Sequence, residues 1–417
     1  MKNKATLIFS FFLFTLLGFS QTETLTPNGE LTSDEITYIT FSDPNPRTRS
    51  KASATLPMLS SGAVSVTFTL KGGDGGTGTW ENAFTSHTAR GGEGGTVIFT
   101  MPITEENQGE TLTFYQGKRG ESDTHGVSAS GGGGASTAIL DHNNSLIAIA
   151  GGGGGGCAVE NYQSDGRPGG VSRSGHGSDC SIRNPPKYGV NGTSGENCKF
   201  AFLNILGESS SYLAVYAGGG GGITANPNNQ SSAIHSEYII GKSAEEGGQG
   251  GYHPSDIFTY QSWYDCNPNP ETPFDYPCPT VETKDISRGG SGYSGGGAGS
   301  PWLMDVPLND GSYCTEVMWE SFGGGGGGGG FDGGGAGDRE RGGGGGSSYL
   351  LPNLFDTVML EGYYVNNPQN GFIHYRVNYD VENPNAICQD TSVTLGYDNY
   401  YTGIDGEINF GQGVPGQ

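Results

Sequence analysis

SLIAIAGGGGGG, residues 145–156, joins a short run of small apolar side chains directly to six consecutive glycines. The apolar half has the continuous hydrophobic character of a strand covered on both faces. The glycine half admits two physical readings. As a flexible linker it would carry polar neighbours and join separate units. As an ordered element it would extend as a threefold helix of the polyproline II type, rising about 3.1 Å per residue with no hydrogen bonds inside the strand. Such a strand must satisfy its amides on neighbours, because buried N–H and C=O groups left unpaired are costly. Several glycine runs in one chain are therefore required.

The chain has them. Residues 131–134, 151–156, 218–222, 323–330 and 342–346 are all glycine, with limits at Gly151 and Gly156, Gly218 and Gly222, Gly323 and Gly330, and Gly342 and Gly346. YLAVYA at 212–217 runs into its glycines just as residues 145–150 do. Glycine totals 78 of 417 residues, against about 29 at the average usage of roughly 7%. Collagen is excluded, since the glycines come in runs and not at every third position. The 21 Tyr, 19 Phe and 4 Trp are too many for a disordered linker and supply a core. Ordering eight glycines costs on the order of 10 kcal/mol in backbone entropy, so a bundle of such runs needs flanking strands to stand.

Around the runs, the periodicity is that of strands. In AVSVTFTL, residues 63–70, Val64, Val66, Phe68 and Leu70 are expected on one face and Ser65, Thr67 and Thr69 on the other. Residues 36–41, 96–101 and 111–115 read as further strands, and the polar stretch 43–53 as a loop. Residues 358–365 and 372–379 flank Asn370-Gly371, a turn pair favoured in hairpins. No segment carries a helical stripe, so the fold class is all-β.

The borders of the runs carry a resemblance. Gly292-Tyr293-Ser294-Gly295-Gly296-Gly297, Gly330-Phe331-Asp332-Gly333-Gly334-Gly335 and GGGGGSSY at 342–349 resemble the glycine-rich extracellular domain of the anaplastic lymphoma kinase and leukocyte tyrosine kinase receptors, over roughly residues 59–379. The resemblance implies a β-sandwich with an inserted bundle of polyglycine II helices and disulfide-tied loops, used to bind protein ligands. No kinase comes with it, because the chain has no VAIK-like strand, no HRD and no DFG. NPNAICQDTSVTLGYDNYYTGIDGEINFGQG, residues 383–413, resembles the opening strands of Ig-like repeats in large surface adhesins of Bacteroidetes-type bacteria, with Ala386, Cys388 and Asp390 at its start. That resemblance implies a repeat continuing past residue 417, where Cys388 would find its partner.

The resulting organisation is a leader at 1–20, an N-terminal strand and linker at 21–58, the glycine-rich domain at 59–380 and the start of an Ig-like repeat at 381–417. The leader has Lys2 and Lys4, an apolar stretch and small residues before Gln21, so the chain is expected to be secreted or held at the cell surface. No second apolar stretch long enough to span a membrane follows. An exported chain should pair most of its cysteines. Six of them, Cys157, Cys180, Cys198, Cys266, Cys278 and Cys314, allow 15 pairings. Proximity favours Cys180 with Cys198 and Cys266 with Cys278, which leaves Cys157 with Cys314.

Enzyme motifs fail on inspection. Residues 292–296 match GxSxG without a strand-turn-helix context. Gly241-Lys242-Ser243 ends like a phosphate loop, but Ser236 stands where the first glycine belongs. The seven histidines show no metal-ligand spacing, and His374 alternates with Phe372 and Arg376 as a surface face of a strand. No catalytic residue, metal site or cofactor is expected. The net charge of −23 repels phosphate backbones, which argues against nucleic acid. The expected function is a non-catalytic binding head of an adhesin, with an unknown protein or glycan ligand. Trp263, Tyr264 and Tyr293 are the expected binding aromatics. The alternatives are a self-assembling surface-layer or fibre protein and, third, a secreted hydrolase.

Overall fold

Two sheets grow from the alternating segments. The computed structural model describes residues 25–45, 47–81, 84–125, 128–159, 162–171, 189–197, 199–203, 211–215, 217–226, 236–252, 287–299, 303–307, 313–317, 324–337 and 341–380. One sheet has the order Leu25–Glu30, Ser50–Thr55, Thr111–Gln116, Thr137–Leu140, Leu146–Ala150, Tyr349–Leu350. Its first pair is parallel and the others are antiparallel. The second has the order Thr37–Tyr38, Phe372–Tyr379, Ala63–Lys71, Thr96–Pro102, Phe355–Leu360, antiparallel throughout. Helix among the described residues is confined to the turns Leu59–Ser61 and Ser236–Ile239, so the protein is nearly all β.

The two sheets share one apolar core. Val66, Phe68, Leu70, Val97, Phe99, Ile373 and Val377 from the five-stranded sheet pack with Ala52, Ala54, Leu112, Phe114, Ile139 and Ala148 from the six-stranded one. Phe68 stands at its centre, with ring centroids 5.5 Å from Phe99 and 6.3 Å from Phe114. The other face of the six-stranded sheet is covered too. Tyr115, Ala138, Leu140 and Ile149 pack there against Tyr293, Phe331 and Tyr349, the aromatics that border the glycine runs. This double cover is the reason residues 146–150 are continuously apolar.

Several expectations need correction. Val64 points outward, 43% exposed, and Ala63 takes the inner position, because the pairing with Phe372–Tyr379 shifts register between Asn378 and Tyr379. The expected loop 43–53 ends in a strand, Ser50–Thr55, whose small Ser50, Ala52 and Ala54 are all buried. Residues 25–55 supply three strands to the two sheets. The strands before and after Asn370-Gly371 are not hairpin partners: Ala63–Lys71 and Thr96–Pro102 lie between them. Residues 1–24 and 381–417, with Cys388, lie outside the described residues, as do Gly323, Cys180, Cys198, Cys266, Cys278, Trp263 and Tyr264. Cys157 is buried in Cys157–Val159. Cys314 lies in Tyr313–Val317, paired through the backbone with Leu303–Pro307, but its side chain is outside the described set.

Beyond the strand ends, the glycine segments continue the same chains as a hydrogen-bonded array. The N–H groups of Gly152 and Gly155 donate to Gly329 and Gly326, those of Gly153 and Gly156 to Gly73 and Gly76, and that of Gly154 to Arg167. The carbonyls follow suit: Gly152 and Gly155 accept from Gly346 and Gly343, Gly153 and Gly156 from Gly134 and Gly131, Gly151 and Gly154 from Gly95 and Gly92. Each residue thus turns to a new neighbour, and every third returns to the same one. Residues 131–136 repeat the pattern, donating from Gly131 and Gly134 to the 151–156 run, from Gly132 and Ala135 to Glu121 and Lys118, and from Gly133 and Ser136 to Gly297 and Ser294. At other positions a polar side chain takes the amide. Gly219 donates to Asn197 Oδ1, Gly222 to Ser194 Oγ, Gly151 to Ser348 Oγ and Gly94 to Asp74 Oδ1.

Candidate functional site

The sequence DPNPRTRSK at 43–51 holds three cations in five residues of a chain with only 20 Lys and Arg against 43 Asp and Glu. Its loop is built by short-range side-chain bonds. Asp43 Oδ1 accepts from Asn45 N (2.9 Å), Asn45 Oδ1 accepts from Arg47 N (3.0 Å), and Thr48 Oγ1 donates to the Asp43 carboxylate. Ser50 Oγ and Lys118 Nζ both donate to the Asp43 carbonyl, at 2.8 and 2.6 Å. Arg47 is left exposed at the tip.

Two glycine-bordered segments complete the patch. Residues 117–121 continue Thr111–Gln116, with Lys118 N and Glu121 N donating to the carbonyls of Ser291 and Arg288. Lys118 is buried, and its ammonium is held by the Asp43 carbonyl and Gln116 Oε1 (2.7 Å). Burial pushes its pKa down to about 8, with Asp43 opposing. Arg119 is exposed; its N–H donates to Asn370 Oδ1 (3.0 Å) and one guanidinium arm to the Pro368 carbonyl (3.1 Å). Ser291 Oγ donates to the Arg47 carbonyl (3.1 Å) and so ties the loop to the glycine array.

Tyrosine rings lie between the cations. The Arg49 guanidinium stands 4.1 Å over Tyr115 and 5.7 Å from Tyr293, Lys51 Nζ lies 5.6 Å over Tyr115, and Arg288 lies 4.6 Å over Tyr252. Tyr115 and Tyr293 are themselves 5.4 Å apart. Burial raises the Tyr293 phenol above its ordinary value, against the pull of Arg49. Burial raises the pKa of Glu121, and the positive charges of Arg288, Arg47 and Arg119 oppose the rise. Arg288 is lowered by burial and then by the neighbouring Arg47. The patch therefore sets like charges close together, at some electrostatic cost.

Of the binding aromatics expected from sequence, Tyr293 is in this patch, half-buried and part of its wall. Trp263 and Tyr264 lie outside the described residues. The cations were missed because residues 43–53 read as a polar loop; the density of bases in RTRSK, set against so acidic a chain, is the signal that finds them. A second charged group, Lys71 with Glu93 (2.8 Å) and Asp74 (3.2 Å), is a structural tie: Asp74 also accepts from Gly94 N and Gln369 N. Ser294 of the GxSxG match is buried and donates to the Gly330 carbonyl. The N–H of Ser243, in the phosphate-loop-like stretch, donates to Glu246. His374 stacks on Phe372 at 5.4 Å and lies the same distance from Tyr38, on the sheet's outer face. Among the described residues, no group of three or more His, Cys, Asp or Glu is placed to hold a metal, and no helix is long and apolar enough to cross a membrane.

These features define a nearly all-β protein with a cation–tyrosine patch at the edge of a glycine array. Compared with protein-family models and with characterised proteins, the chain matches none.

Proposed function

We propose that the chain is a non-catalytic binding head, exported and displayed at the cell surface as part of an adhesin. In this reading the two sheets form a β-sandwich and the glycine segments form a bundle of polyglycine II helices, as in the glycine-rich receptor domain that the sequence resembles. The threefold recurrence of hydrogen-bond partners along residues 131–136 and 151–156 supports the helices. The shared core around Phe68 supports the sandwich. The observation that carries the function is the patch of Arg47, Arg49, Lys51, Arg119 and Arg288 with the half-buried Tyr252 and Tyr293, seated on the buried ring of Tyr115. Arginine and tyrosine are the side chains that most often supply binding energy at an interface, and here a rigid scaffold fixes them.

The test is retention of surface glycans and surface proteins by the purified full chain, on glycan arrays and in pull-downs. The expected result is saturable capture that weakens when Arg47 and Arg119 are changed together to Gln. Concentration-dependent self-assembly with no retained ligand would instead favour a surface-layer or fibre role.

A further inference from the structure

The edges of the two large sheets are not alike. Leu25–Glu30 contains Pro27 and shifts register between Pro27 and Glu30, and Thr37–Tyr38 and Tyr349–Leu350 are two residues each. Short strands, prolines and irregular pairing keep a sheet edge from adding a further strand. The remaining edge, Phe355–Leu360, has six residues with neither proline nor lysine. Among the described residues its backbone pairs only with Thr96–Pro102. A register shift between Phe355 and Val358, with φ of Asp356 at +47°, leaves Val358–Leu360 as the regular, uncharged part. Phe355, Val358 and Leu360, opposite Thr100, Ile98 and Thr96, are 58%, 41% and 51% exposed. Met359, opposite Val97, packs against the core and fixes which way the strand faces.

We infer that this edge pairs with the same edge of a second copy, antiparallel about a twofold axis, so that two five-stranded sheets become one continuous sheet. The strand itself selects this occupant. A twofold axis makes an edge complementary to itself, since each copy offers the backbone donors and acceptors that the other lacks. With the axis at Met359, Val358 lies opposite Leu360, Thr357 opposite Glu361 and Asp356 opposite Gly362. Apolar side chains then meet across the outer face, and no carboxylate stands opposite another. The same register directs Phe355 towards the exposed Tyr363 of the other copy. The net charge of −23 on each chain opposes association at long range, so added salt favours the pair. The axis closes the contact at two copies, which separates it from an open fibre or layer. The pairing does not involve the cation–tyrosine patch, and the binding-head reading stands or falls without it.

The full chain is examined by analytical ultracentrifugation from about 1 μM to about 1 mM, the range in which exposed strand edges associate, at low and physiological salt. A monomer–dimer equilibrium is expected, shifted towards the dimer by salt. In the unmodified protein, hydrogen exchange at the amides of residues 357–361 should slow as concentration rises. Val358→Lys removes one cross-strand pair on each side of the axis and should weaken the dimer about tenfold or more. Because Val358 is exposed, the melting midpoint of that variant should stay at the wild-type value. A monomer at every concentration overturns the inference, as does a dimer that Val358→Lys leaves intact. Assemblies larger than two copies overturn the closed pairing. Protection of residues 357–361 that does not vary with concentration assigns the edge to another segment of the chain or to a copurifying strand, and overturns the second copy as its occupant.

Discussion

Glycine is used in the array for the atom it lacks, and only rarely for the backbone angles it allows. None of the glycines at 131–134, 151–156, 218–222, 324–330 or 342–346 has positive φ. A Cβ added at Gly154 would instead overlap the carbonyl of Gly343, and one at Gly155 the carbonyl of Gly131, well inside 3.0 Å. Gly29 is the contrast: its φ is +74° and a Cβ there meets nothing within 4 Å. Gly154→Ala is expected to destabilise by about 3 kcal/mol or more, since backbone on every side must move. Gly29→Ala should cost only about 1 kcal/mol of left-handed strain. Denaturant midpoints of the two variants check the order, and equal effects would refute the packing argument. Lys118 gives a second prediction at this scale. Its pKa falls from 10.5 to about 8 on burial, so between those values the unfolded chain holds a proton that the folded chain has released. Stability contributed by this group is therefore lowest below pH 8 and rises with pH through the window. Lys118→Met should abolish that rise, visible as a difference in the pH dependence of the unfolding midpoint between the two proteins.

At the scale of the element, a glycine segment is stabilised by partners on all sides and by no bond within itself. The amides of Gly152, Gly153 and Gly155 donate to Gly329, Gly73 and Gly326, on two separate segments. Opening any one segment would release several neighbours at once. These amides should therefore exchange with solvent hydrogen as slowly as those of Phe68 and Leu70 in the central strand. Exchange at the rate of a free polyglycine linker would sink the ordered array. Much of this level was legible in the sequence: the alternation of residues 63–70, the double cover implied by LIAIA, and the need for several runs together. What was not legible depended on partners distant in the chain. Ser50–Thr55 offers only Ala and Ser to the core, too little contrast to mark a strand, and it is fixed by pairing with Thr111–Gln116. Alternation alone places Val64 inward, because a bulge opposite Tyr379 leaves no trace in the residues around Val64. The cation–tyrosine patch was half legible: RTRSK is visible in one loop, but its meeting with Arg119, Arg288 and Tyr293 is made by the glycine array.

For the molecule as a whole, the decisive fact is that strands and glycine segments are the same stretches of chain. Ala63–Lys71 passes into Gly72 and Gly73, Thr111–Gln116 into Gly117, and Leu146–Ala150 into Gly151. Tyr293 and Phe331, which border the runs, also cover the outer face of the six-stranded sheet, with Phe331 stacked at 4.6 Å on Tyr349 of that sheet's edge strand. A segment cannot leave the array without pulling on a strand, and the sheet cannot open without exposing those rings. The two parts should therefore unfold in one transition. Phe68→Ala, in the core between the sheets, is expected to cost about 3–5 kcal/mol, and Gly326→Ala, in the array, a comparable amount, because a Cβ there overlaps the carbonyl of Gly297. Each substitution should lower the single melting transition seen by both calorimetry and aromatic circular dichroism. If Gly326→Ala instead produces an early transition while the Phe68 environment melts at the wild-type temperature, the array is a separate unit. The patch formed where it meets the six-stranded sheet would then lose the rigid frame on which its binding role depends.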